Sequence, residues 1–289
     1  NYQMKLIIVA RHGQRTPCFQ KPEEQHLYTP ISFEDLTPIP NGCRHTSFGC
    51  LTQTGVQQCK SLGEKISSQY PEIKQFESAE MFFRCTPFSR TFYSACATQI
   101  GMFGEIRNPV HITMECGQSI VSADYKTIKQ KLKQQADFEA KRKVDIKNLE
   151  NYIGVSGWTV EMLYDAISTK RDLQEVVSDE IFDETMAAMK IYLEEVKKTH
   201  QFNELFGIFA KEIIAYLGND KKLNYLHAHD STLWALGHML LEWDEVYPQL
   251  CDYFIFEIKD EMIKISGQYN NKQGKIAELS IKEAISKLE

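Results

Sequence analysis

The chain has 289 residues, 33 Lys and Arg against 39 Asp and Glu, and a formal net charge of −6. That length buries a full core as one large domain or two small ones, and 43% apolar with 25% charged residues is ordinary globular composition. The acidic balance argues against nucleic-acid binding through bulk positive charge, yet a local cluster of arginines can still hold an anion. No run reaches the ~20 apolar residues that a membrane helix needs.

Residues 4–10 (MKLIIVA) read as a buried strand, short and rich in Ile and Val. The run is too short for an intact signal peptide, and with Asn1 leading, a segment upstream is expected. Residues 17–50 carry five of the nine prolines (Pro17, Pro22, Pro30, Pro38 and Pro40) and predict a long functional loop. Residues 54–69 predict a helix, with Thr54 and Gln57 at capping-box spacing and Pro71 closing it. A strand is expected at 80–84, a helix at 88–103 and a strand at 110–114. The alternation points to an α/β fold with a central mixed sheet flanked by helices.

Residues 122–200 change character to long-period helix. Ile128, Leu132, Ile146 and Leu149 suggest one amphipathic unit, and Phe182, Met186, Met189, Leu193 and Val196 another stripe. Residues 126–147 hold eight basic residues against three acids, read as a solvated face rather than a phosphate-attracting rim. The α/β pattern resumes with a helix at 202–217, a strand at 223–228, a helix at 231–241, a strand pair at 253–258 and 262–269, and a last helix at 280–288. The expected organisation is an α/β core of 1–116 and 201–289, interrupted by a smaller helical insertion at 117–200.

Three charged clusters follow three of these strands: Arg11, His12 and Arg15; Arg84 and Arg90; His229 and Asp230. Ligands in open α/β sheets bind beyond the carboxyl ends of strands, where helix N-termini add N–H donors for an anion. Arginine grips phosphate oxygens in pairs and keeps its charge. Phosphoryl transfer asks mainly for positioning and positive charge around a loose transition state. Several arginines around one imidazole meet that need. A metal reading of His227, His229 and His238 fails on spacing: HxHxDH wants an acid four residues after the first His, Asp230 comes three after it, and Thr232 stands where the last His belongs. GVSGW at 154–158 is not a GxSxG elbow. Arg84 reads as a structural salt-bridge partner, and His227 as core or supporting residue.

RHGQRTP (11–17), LTQTGVQQ (51–58), RCTPFSRTFYSA (84–95) and HAHDSTLWALG (227–237) resemble, in order, the RHGxRxP, LTxxGxxQ, RST…RT…SA and HD segments of the histidine acid phosphatases. The resemblance spans most of the chain. It implies an acid phosphomonoesterase with His12 as nucleophile forming a phosphohistidine. It implies Arg11, Arg15 and Arg90 as phosphate-binding arginines, His229 as a further phosphate contact and Asp230 as the acid that protonates the leaving group. It implies no metal and no cofactor, and a phosphorylated small molecule as partner, with no nucleic acid or membrane span. Nearby Arg⁺ groups should hold His12 neutral in acid. Asp230, at a helix start, favours its ionised form, so an acidic working pH is expected. Two rivals remain: a phosphotransferase or mutase using the same nucleophile, and a non-catalytic phospho-ligand-binding protein. Eight cysteines without a CxxC pair suggest disulfides and a secreted, periplasmic or lysosomal location. Natural substrate, disulfide pairing and oligomeric state are left open.

Overall fold

The computed structural model describes residues 4–19, 37–44, 48–113, 123–198, 202–241, 248–269 and 272–288. β1 (Lys5–Arg11) is followed by α1 (Gln53–Gln69), β2 (Met81–Cys85), α2 (Ser89–Phe103) and β3 (Val110–Ile112). Four helices come next: α3 (Ala123–Lys143), α4 (Lys147–Ile153), α5 (Val160–Asp172) and α6 (Asp179–Lys197). The chain closes with α7 (Phe202–Gly218), β4 (Leu223–Ala228), α8 (Asp230–Leu241), β5 (Tyr253–Lys259), β6 (Met262–Tyr269), β7 (Lys272–Ser280) and α9 (Ile281–Leu288). The fold is mixed α/β, as the alternation of the sequence predicts.

The strands form one sheet in the order β3-β2-β4-β1-β5-β6-β7. The four at the β3 end run parallel, and β5, β6 and β7 add on in antiparallel fashion. β1 lies in the middle, paired with β4 on one side and β5 on the other. Such a strand is buried on both faces, so it reads as a continuous apolar run. Successive side chains go to opposite faces. Leu6, Ile8 and Ala10 pack with Leu62 and Ile66 of α1 and Met102 of α2. Ile7 and Val9 pack with Phe209 and Ile213 of α7 and Leu233, Leu236 and Leu240 of α8.

Helices α3–α6 have a core of their own, including Leu132, Leu149, Leu163, Ile167, Met189 and Leu193, onto which Trp234 and Ala235 of α8 also pack. Ile128's side chain lies outside the described residues. Phe182 leaves the predicted stripe: it is half-buried, with the Arg171 guanidinium 4.0 Å above its ring. The basic run of α3 is ion-paired at the surface, Lys133 with Glu161 at 2.7 Å and Lys141 with Asp137 at 2.9 Å. Among the described residues, no helix is long and apolar enough to cross a membrane.

The structure corrects two local expectations. The cap of α1 is Thr52, whose hydroxyl accepts from Gly55 N at 3.1 Å, so the capping box at Thr54 and Gln57 does not form. The end of the chain holds a third antiparallel strand, β7, where only a pair was expected. The 110–114 strand ends at Ile112, and Met114 lies outside the described residues. So does most of the proline-rich loop, including Pro22 and Pro30. No disulfide joins the seven described cysteines, and Cys116 lies outside the described residues.

Candidate active site

The three clusters converge at the carboxyl ends of β1, β2 and β4. Arg11 is the last residue of β1. Its N–H donates to Asp252 O at 2.9 Å, and the His12 N–H donates to Ala228 O at 3.2 Å. The His12 carbonyl accepts Cys251 N–H at 3.3 Å, so both neighbouring strand ends pin the turn. The chain then passes under α1 at a distance only glycine allows. A Cβ on Gly13 would stand 2.4 Å from Gly55 O, and one on Gly55 would stand 2.2 Å from Gln14 O. Gly13 N–H donates to Ser94 Oγ of α2 at 3.2 Å, and Gln14 N–H to Gln58 Oε1 of α1 at 2.8 Å. The LTQTGVQQ and SA segments thus serve as the bed for the RHG turn.

His12 is buried, and its Nδ1 lies 2.9 Å from Gly13 O. A carbonyl only accepts, so Nδ1 carries the proton and the lone pair sits on Nε2. Burial first, then Arg90, Arg11 and Arg15, hold the His12 pKa well below 6.5. The ring is therefore neutral in acid, as the arginine count predicts. The His229 ring stands edge-on to it, with centroids 5.6 Å apart.

Arg11 Nη2 pairs with Asp230 Oδ2 at 2.9 Å, and its Nη1 donates to Pro248 O at 2.5 Å. Asp230 opens α8, and its Oδ1 accepts Ser231 N–H at 2.8 Å. Burial disfavours its charge, but Arg11 and Arg15 outweigh burial and lower its pKa below 3.8. Arg15 reaches α5. Its Nη2 pairs with Asp165 of α5, and its Nη1 lies 3.1 Å from Thr16 O and 3.4 Å from Thr169 Oγ1. Arg90, in the first turn of α2, lies 4.5 Å over the Phe88 ring, with Nη2 3.4 Å from His229 Nδ1. The Nε–H groups of Arg11, Arg15 and Arg90 are all buried without an acceptor among the described residues. Three unpaired charged donors in one place are costly unless an anion completes them.

His229 Nε2 lies 2.9 Å from Thr86 Oγ1, which lies 2.9 Å from Thr91 Oγ1. Thr91 Oγ1 donates onward to the Thr86 or Phe88 carbonyl, each at 2.9 Å. Hence Thr86 donates to Thr91 and accepts from His229 Nε2–H, which fixes that tautomer.

All six residues singled out in the sequence come together here: Arg11, His12, Arg15, Arg90, His229 and Asp230. Arg84 stands apart: fully buried in β2, it pairs with Glu212 of α7, Nε to Oε1 at 2.7 Å. His227 is buried, its Nε2 3.2 Å from Thr98 Oγ1 and 3.1 Å from Tyr225 OH. Among the described residues, no three His, Cys, Asp or Glu gather as metal ligands would. Sequence reasoning missed Thr86 and, on α5, Asp165, Thr169 and Asp172. Thr86 lies inside the RCTPFSRT segment and was legible there. The other three carry no motif. Asp172 is solvent-exposed at the end of α5, and its backbone carbonyl accepts from Gln14 Nε2 at 2.6 Å.

A family model described as histidine phosphatase superfamily (branch 2) matches residues 4–216. The chain is 24% identical to lysosomal acid phosphatase of Xenopus laevis over 93% of its own length and 70% of that protein's. It is 32% identical to testicular acid phosphatase of Homo sapiens over 35% of its length, a match that spans 22% of that protein. Among solved structures, the phytase of Klebsiella sp. ASR1 superposes with a TM-score of 0.64 at 12% identity, covering 100% of this chain and 95% of that one. The phytase of Citrobacter braakii does so with a TM-score of 0.65 at 12% identity, covering 98% and 96%. At that identity the likeness is one of fold.

Proposed function

The chain belongs to branch 2 of the histidine phosphatase superfamily, and from that premise we propose that it is an acid phosphomonoesterase working through a phosphohistidine on His12. One observation carries the reading: a neutral imidazole with its Nε2 lone pair available sits among three arginines whose buried Nε–H groups lack an acceptor. A phosphate monoester supplies the missing acceptors and the counter-charge. The names of the acid phosphatases it resembles support the same activity.

In this reading Arg11, Arg15 and Arg90 bind the phosphoryl oxygens, with His229 beside them. His12 Nε2 attacks phosphorus while the ester P–O bond breaks. The departing alkoxide takes a proton from Asp230. Water then attacks the phosphohistidine, returning a proton to Asp230 and freeing inorganic phosphate and His12. The positive charge throughout comes from guanidinium groups already in place. Asp230 begins ionised on Arg11 and needs a proton before it can act. Acid supplies it, and a bound phosphate that draws Arg11 away makes protonation easier. Activity should therefore fall as pH rises through the pKa of Asp230 in the complex. At the low end His12 still supplies its lone pair.

Relatives named lysosomal and prostatic acid phosphatase support a secreted, periplasmic or lysosomal setting. In such a compartment Cys59 and Cys251, with sulfurs 3.7 Å apart, are placed to close a disulfide by exchange with a small-molecule disulfide. Mass analysis after alkylation, with and without reduction, tests the pairing, and two alkylated thiols in unreduced secreted protein would refute it.

The test of function is hydrolysis of aryl and alkyl phosphates from pH 4 to 8, with wild type and Asp230→Asn. Acid activity is expected, with the variant losing most on poor leaving groups. Equal losses on good and poor leaving groups would remove Asp230 from the acid's role. No hydrolysis by wild type, with phosphate ester bound, would leave a binding protein instead.

A further inference from the structure

We propose that Asp165, on helix α5 of the insertion, is a positioning residue for Arg15, and that the insertion thereby forms one wall of the anion site. The proposal rests on the reading above that Arg15 holds phosphate. Both side chains are almost wholly enclosed, at 8% exposure for Arg15 and 10% for Asp165. Asp165 uses both oxygens. Oδ1 takes Arg15 Nη2, and Oδ2 accepts the Cys18 N–H at 2.9 Å and the Phe19 N–H at 3.3 Å. One carboxylate therefore grips the guanidinium and the backbone just after it, across 150 residues of sequence.

One turn further along α5, Thr169 Oγ1 accepts from Arg15 Nη1 at 3.4 Å, and Thr16 O does so at 3.1 Å. The protein thus occupies the Nη end of the guanidinium, while the buried Nε–H has no acceptor. A long flexible side chain held at its far end presents a fixed donor to the substrate instead of sampling rotamers. Asp165 is offered as a holder of Arg15 and not as a proton donor. Leu163, Ala166 and Ile167 of the same helix are buried among α3–α6, so α5 has apolar packing apart from this pair.

The test is a double-mutant cycle of wild type, Asp165→Asn, Arg15→Ala and the double variant. Inorganic phosphate binding is read by calorimetry, and p-nitrophenyl phosphate hydrolysis by kcat and KM. Asp165→Asn should weaken phosphate binding and raise KM by roughly tenfold, as loss of a residue that orients a ligand-binding group does, with a smaller change in kcat. In the Arg15→Ala background the same substitution should change phosphate affinity by less than about twofold, because a group that acts through Arg15 has nothing left to orient. Unchanged phosphate affinity in Asp165→Asn, or an equal loss with and without Arg15, overturns the proposal. If Asp165→Asn does not fold, Thr169→Val replaces it in the cycle. It spares the Cys18 and Phe19 contacts, and equal effects in both backgrounds again overturn the proposal. Calorimetry needs no turnover. An inactive wild type whose phosphate affinity depends on Asp165 would sink the phosphatase reading and leave this one standing.

Discussion

Replacing Gly55 with alanine perturbs the nucleophile's turn without touching a charged group. The new Cβ would stand 2.2 Å from Gln14 O and 2.8 Å from Gln14 N, both backbone atoms that cannot swing aside. Ordinary contact begins near 3.4 Å, so α1 and the 13–14 backbone must part by about 1.2 Å. Gln14 lies two residues from His12, and Gln14 N–H is tied to α1 through Gln58. Misplacement of a reacting group by about 1 Å can cost on the order of a hundredfold in rate. The expected loss in kcat/KM is therefore about 100-fold, near 2.7 kcal/mol. Overpacking should destabilise the fold by about 1–3 kcal/mol, offset by up to about 1 kcal/mol of helix propensity. Steady-state hydrolysis of p-nitrophenyl phosphate and thermal unfolding read the two effects separately. Gly218→Ala, at the end of α7 with nothing within 4 Å of the new Cβ, is the control and should leave activity unchanged. Near-wild-type activity in Gly55→Ala would refute the claim that α1 sets the position of the turn.

Arg84→Ala should destabilise the protein by about 3–5 kcal/mol, because it leaves the Glu212 carboxylate without its counter-charge, with the Tyr216 hydroxyl still donating to it. The folded fraction should keep its kcat, and denaturant melts alongside kinetics check this. His12 has a folded pKa well below its ordinary 6.5, so the unfolded chain binds its proton first. Stability from this group is complete above about pH 6.5 and is lost as pH falls toward the folded value. His12→Ala should flatten that part of the stability–pH curve, and an unchanged slope counts against a buried neutral imidazole.

Much of this site is local in sequence, which is why it was legible. Arg11 to Arg15 lie on one turn, Arg90 one short helix start after β2, and His229 and Asp230 directly after β4. The strands that carry them are central and apolar, so composition alone marks their ends. What stayed hidden was non-local or polar. Asp165 meets Arg15 only because α5 folds back onto the turn, and nothing in VEMLYDAISTKRD distinguishes its aspartates from solvent-facing ones. β7 (KQGKIAELS) carries no apolar run that marks it as a strand, since an edge strand can be polar on one side. Only pairing with β6 fixes it, with Leu279 opposite Ile263. The α1 cap was misread by two residues because Thr52 and Thr54 both have suitable side chains. Only the bond from Gly55 N–H to the Thr52 hydroxyl decides between them.

The most direct test of the account is to trap the intermediate. Wild-type protein is mixed briefly with a 32P-labelled phosphate monoester at acid pH, quenched in alkaline denaturant to preserve phosphohistidine, and digested for peptide mapping. The account predicts one labelled peptide containing residues 11–17, with the label on His12 and none in His12→Ala. Label on any other side chain, or turnover in His12→Ala close to wild type, would contradict it.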